Sequence, residues 1–79
     1  MRVYFETDVM GKELRITAFA NDVNEYSETL GLRVSVILPD ETLIPLHKYV
    51  GDTDEVERIE QAAIDELYSN KYEGALTLE

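Results

Sequence analysis

The sequence lacks cysteine and tryptophan and contains a single histidine. Without cysteine the chain can form no disulfide, thiol nucleophile or thiolate metal site. Small secreted domains usually depend on disulfides, so this absence predicts a reducing compartment, the cytoplasm. We expect no signal peptide, because the apolar start after Arg2 is already interrupted at Glu6. No uncharged run approaches the roughly 20 residues that a membrane-spanning helix needs.

Basic residues are scarce. Seven Lys and Arg stand against seventeen Asp and Glu, which gives a formal net charge of −10 at pH 7. Such a chain repels phosphate, so we expect no direct binding to nucleic acid or to an anionic membrane. The 79 residues suffice for one domain, spanning 1–79.

Catalytic motifs are absent from the sequence. His47 is the only histidine, and no serine lies in a G-x-S-x-G motif. The four glycines are isolated from one another, so neither a P-loop nor a dinucleotide fingerprint is present. An EF-hand loop beginning at Asp52 fails, because Val56 and Ala63 occupy ligand positions. We therefore predict a non-enzyme with no cofactor and no bound metal; a carboxylate-based, metal-dependent hydrolase is the remotest alternative.

Alternation of apolar and polar residues predicts the strands. Residues 2–8 and 13–20 alternate with period two around a short turn, which is typical of an antiparallel hairpin. Residues 31–38 continue the pattern as a third strand. A fourth strand over 42–47 is compatible with the sequence only at an edge, because Pro45 cannot donate a ladder hydrogen bond.

A change of period after Gly51 predicts a helix over 54–70, with an N-cap among Asp52, Thr53 and Asp54. Its apolar residues recur at steps of three and four and form the stripe Val56, Ile59, Ala63 and Leu67. The predicted fold class is α+β: a small antiparallel sheet of three to four strands with one C-terminal amphipathic helix packed on one face.

Two segments leave alternatives open. Residues 21–30 are compatible with a loop, an irregular strand extension or a single helical turn. Residues 75–79 alternate weakly, as a short closing strand would, and Leu78-Glu79 is equally compatible with a cloning remnant.

Acidic residues are concentrated in the second half of the chain, where 40–79 holds eleven of the seventeen. The helix can present several of them to a basic partner, much as small acidic inhibitors encoded by phages imitate nucleic acid; that likeness is one of composition only. A solvated helix face that keeps the chain soluble explains the same pattern. The residues predicted to bind such a partner are Asp54, Glu57, Asp65 and Glu66.

A second candidate surface is apolar. Tyr4, Phe19 and Ile37 fall on the sheet face away from the helix, and aromatic side chains are enriched in protein interfaces. Ile64 and Tyr68 lie to the side of the helical stripe, four residues apart. Scattered surface apolar residues, which are common, are the alternative explanation.

These patterns predict a small acidic adaptor or inhibitor that acts by contact with a protein bearing a basic surface, including one that normally holds nucleic acid. The alternative is a structural homo-oligomer that assembles through the exposed sheet face or an edge strand. Sedimentation of the purified chain distinguishes the two, because only the second predicts a stable dimer without another partner.

The net charge predicts how stability depends on salt. Repulsion among carboxylates weakens as the Debye length falls to about 8 Å at physiological ionic strength. The melting temperature at pH 7 should therefore rise from very low to moderate sodium chloride, as followed by circular dichroism. A flat or falling trend would show that attractive ion pairs outweigh the repulsion.

Overall fold

The elements of the fold follow the predicted order, with a helix after the main strands. The computed structural model describes residues 1–24 and 29–73. The strands are β1 (Arg2–Val9), β2 (Lys12–Phe19), β3 (Asp22–Val23), β4 (Thr29–Leu30), β5 (Arg33–Ile37) and β6 (Leu43–Pro45). The helices are α1 (Leu46–Tyr49) and α2 (Thr53–Tyr68), and α2 runs into a π-helical turn at Ser69–Glu73. The predicted α+β class is confirmed.

The main sheet is antiparallel throughout, with strand order β1-β2-β5-β6. Its hairpin closes between Val9 and Lys12, which are paired across the two strands. Met10 and Gly11 both have positive φ, 53° and 90°. A two-residue turn with positive φ at both positions matches the right-handed twist of the strands it joins. The predicted hairpin is therefore confirmed, with its turn at these two residues.

The edge strand is shorter than the predicted 42–47. Pairing of β6 with β5 ends at Ser35 and Pro45, and the next residues form α1. Pro45 lacks the N–H that would continue the ladder, and it stands at the N-cap position of α1 with φ −53°. Leu46 then turns into the core, where it is 2% exposed.

Helix α2 lies across one face of the sheet. Asp52 is its N-cap, and its carboxylate accepts hydrogen bonds from the backbone N–H groups of Asp54 and Glu55 at 2.9 and 3.4 Å. The stripe of the helix faces the sheet, since Ile59, Ala63 and Leu67 are fully buried. Val56, also predicted in the stripe, is half-buried and packs against the same core.

The core fills the space between α2 and the inner sheet face. The strands contribute their inward-facing residues. Leu46 of α1 and Val50, the residue after α1, are also buried in the core; the period-two pattern missed both. The buried strand residues in this cluster are Val3, Val9, Ile16, Ala18, Val23, Val34 and Val36.

Within residues 21–30, the described strands β3 and β4 form a second, two-stranded sheet. Asp22 pairs with Leu30 and Val23 with Thr29. Lys71, from the π-helical turn, donates to the Asp22 carboxylate at 2.8 Å and to the carbonyl of Val23. This contact ties the end of α2 to β3. The predicted alternatives for 75–79 lie outside the described residues.

The buried stripe predicts how substitutions in α2 affect stability. Leu67→Ala should lower the free energy of unfolding by about 2–5 kcal/mol, because it leaves a cavity under the helix. Gln61→Ala is the matched control; Gln61 is exposed, so its loss should cost about 0.5 kcal/mol or less. Urea denaturation of both variants makes the comparison, and equal losses would contradict the orientation of α2.

Candidate functional site

The α2 acidic surface consists of Asp54, Glu57, Asp65 and Glu66, the four acids predicted from the sequence. All four are exposed. With 3.6 residues per turn, Asp54, Glu57 and Asp65 lie on the side of the helix away from the buried stripe, and Glu66 lies beside the stripe. Asp54 and Asp65 are eleven positions apart in the sequence, which corresponds to about 17 Å along the helix axis. The helix thus presents three of the predicted acids on one side and the fourth on its flank.

The only base in α2 does not neutralise this surface. The Nε atom of Arg58 lies 2.5 Å from Glu55 Oε1, and its guanidinium also donates to the carbonyl of Asp8. The other oxygen of Glu55 accepts from the backbone N–H of Met10 at 3.4 Å. Arg58 and Glu55 therefore connect the first half of α2 to the β1–β2 hairpin by hydrogen bonds, and their opposite charges neutralise each other.

The carboxylates of the α2 acidic surface have no cationic partner within residues 1–24 and 29–73. The two ion pairs found there are Arg58–Glu55 and Lys71–Asp22. Asp65 accepts one hydrogen bond, from the neutral amide of Gln61 at 3.1 Å. The surface keeps its negative charge and its capacity to accept hydrogen bonds.

Two carboxyl groups elsewhere have lowered pKa values, for local structural reasons. Hydrogen bonds from Lys71 and from the Val23 N–H, with the Lys71 charge, lower the pKa of Asp22. Hydrogen bonds from the Thr42 side chain and backbone lower the pKa of Asp40. Asp22 stabilises a tertiary contact and Asp40 stabilises a turn, and neither belongs to the α2 acidic surface.

The outer sheet face differs from the apolar patch that the sequence predicted. Tyr4 is 64% exposed, as expected, and Phe19 is half-buried. Ile37 was expected to be open but is only 6% exposed. It stands in register between Arg15 and Leu43, whose long side chains flank it on the neighbouring strands. The three predicted residues share one face but form no continuous apolar patch.

The other two predicted apolar contacts, Ile64 and Tyr68, are half-buried. Tyr68 packs against the core cluster, which leaves less of its ring for a partner. Three apolar side chains that the pattern did not single out are more exposed: Met10 at the hairpin turn, Leu30 in β4 and Leu43 in the edge strand.

Sequence reasoning also missed a group of arginines on the outer sheet face. Arg2, Arg15 and Arg33 come from three different strands, and the register places all three on this side. The signal was present in the period-two alternation, which assigns each of them to the polar face of its strand. The outer sheet face thus carries three guanidinium groups, together with the carboxylates of Glu6, Asp8 and Glu13.

Other kinds of site find less support in the described part of the chain. Residues 1–24 and 29–73 contain no cluster of three His, Asp or Glu side chains suited to a metal ion. The lone His47 is exposed on α1. No helix within those residues combines the length and the apolar character needed to cross a bilayer.

Comparison of the chain with protein-family models, with curated proteins and with solved structures finds no match.

Proposed function

We propose that the chain is a non-enzymatic binding module, an adaptor or inhibitor, whose α2 acidic surface docks on a basic surface of a partner protein. This proposal is supported by four exposed carboxylates that have no cationic partner in the described structure. Opposite charges on two protein surfaces accelerate their encounter and select the partner.

The spacing of the acids favours a basic protein patch over a close imitation of duplex DNA. Four carboxylates spread over about 17 Å of helix are sparser than DNA, which carries one charge per about 1.7 Å of axis. A local cluster of Lys and Arg is the matching surface. A partner that normally binds nucleic acid has such a cluster, so we expect DNA or RNA to compete with the chain for it.

Pairing between copies of the chain is the second candidate function, and one observation favours it. β1 lies at the edge of the main sheet and is eight residues long. Long edge strands offer unpaired backbone groups to another strand. A two-fold contact through the outer face itself fits less well, because it would bring the arginines of two copies together.

We predict that the charge of the α2 acidic surface controls the rate of association with the partner. The chain with Asp54→Asn and Asp65→Asn should associate several-fold more slowly at low salt, because steering is weakened. Its melting temperature should fall only slightly, because Asp54 in the first turn loses a weak interaction with the helix dipole. Surface plasmon resonance against the partner captured by the unmodified chain measures the rate. The unmodified chain should itself associate more slowly as salt rises.

The matched control carries Glu6→Gln and Glu13→Gln, the same change of net charge on two exposed sheet residues. It should associate at nearly the unmodified rate. If the control slows as much as the Asn variant, or if salt has no effect, the α2 acidic surface is not the contact. A dimer in sedimentation that neither variant alters would favour edge pairing.

A further inference from the structure

The outer sheet face contains a depression of about 300 Å³ whose lining is basic and hydroxyl-rich. Arg2 and Arg33 lie on the two sides of Phe19 in the sheet register. The residues that line it are Arg2, Thr17, Phe19, Arg33, Ser35 and Leu43. We name this feature the arginine corner. It contains no carboxylate, although the chain has seventeen acids.

The guanidinium of Arg2 is already held over the depression. Its carbon Cζ lies 5.5 Å from the centroid of the Phe19 ring, a cation–π distance. Its Nη1 donates at 3.0 Å to the hydroxyl of Thr17, which in turn donates to the carbonyl of Val3. Thr17 is buried in the sheet, so it holds the Arg2 guanidinium in one position.

Arg33 also lines this depression, and it lines a neighbouring one that includes Glu60. It has no ion pair with any residue that the structure describes, and neither has Arg2. Their backbones are separated by two strand spacings, about 10 Å, so both guanidinium groups can reach one small anion between them. Ser35 also lines the depression, and its hydroxyl is a neutral hydrogen-bond donor.

We propose that the arginine corner binds a small phosphate monoester. Two guanidinium groups match a dianion with three terminal oxygens better than they match a single carboxylate, which one arginine already satisfies. The volume is suited to a phosphate with a small organic group. Leu43, which lines the depression and is largely exposed, offers an apolar surface to that organic group.

The net charge of the chain restricts the ligand to a small one. The arginine corner and the α2 acidic surface are separated by the sheet and by a helix about 10 Å across. This separation exceeds the screening length of about 8 Å at physiological salt. A small ester at the arginine corner is therefore screened from these acids. A long polyanion would extend past the corner and meet other acidic parts of the surface, such as Asp8 and Glu13 at the hairpin end of the same face.

Calorimetric titration at constant ionic strength tests the assignment with three probes. Phenyl phosphate should bind more tightly than inorganic phosphate, because only the ester carries a ring. Both should bind more tightly than benzoate, which has the ring but a carboxylate. Equal or tighter binding of benzoate, or no binding of phenyl phosphate, would overturn the proposal.

Variants locate the binding. Arg33→Gln should weaken phenyl phosphate binding about tenfold or more, since it removes charge-assisted hydrogen bonds. Arg15→Gln is the matched control, with the same loss of charge on the same face outside the depression, and should change the affinity about twofold or less. Ser35→Ala should weaken binding without any change of charge. Equal losses for Arg33→Gln and Arg15→Gln would show a general field effect and overturn the site.

Discussion

The structure depends on the burial of the α2 stripe against the inner face of the main sheet. A four-stranded sheet with one apolar face is unstable in water until that face is covered, and a single amphipathic helix has the same need. Ile59, Ala63 and Leu67 meet this need together with the inward residues of β1, β2 and β5. Because one side of each element is committed to this contact, the other sides remain available for binding.

The two free sides have different electrostatic character. On the helix side, Arg58 is fastened to Glu55 and to the hairpin, so it leaves the acids further round the helix without a counter-charge. On the sheet side, the strand register gathers Arg2, Arg15 and Arg33 on one surface. The chain therefore has a net charge of −10 without being uniformly acidic, and each proposed binding role uses one of its two sides.

The elements that the sequence predicted well are those with strong periodicity. The hairpin, the third strand and the helix follow from patterns within single segments, and so does the exposure of the four acids. The burial of Ile37 could not be predicted in this way, because it results from Arg15 and Leu43 on neighbouring strands. A strand's own alternation carries no information about what lies beside it.

Two further features were not predicted. α1 replaces the end of the predicted edge strand, because Pro45 ends the ladder and the next residue, Leu46, is buried in the core. The arginine corner is lined by residues from four strands, so it becomes visible only when the register is known. It arises between segments, whereas periodicity describes each segment alone.

Site-specific photo-crosslinking tests whether a partner protein contacts the α2 acidic surface. A photoreactive phenylalanine analogue is placed at Gln61, among the acids, or at Tyr4 on the outer sheet face. Both positions are exposed, and neither substitution removes a charge. We expect a crosslink to the partner from position 61 and none from position 4; a crosslink from position 4 alone would show that the contact lies on the sheet.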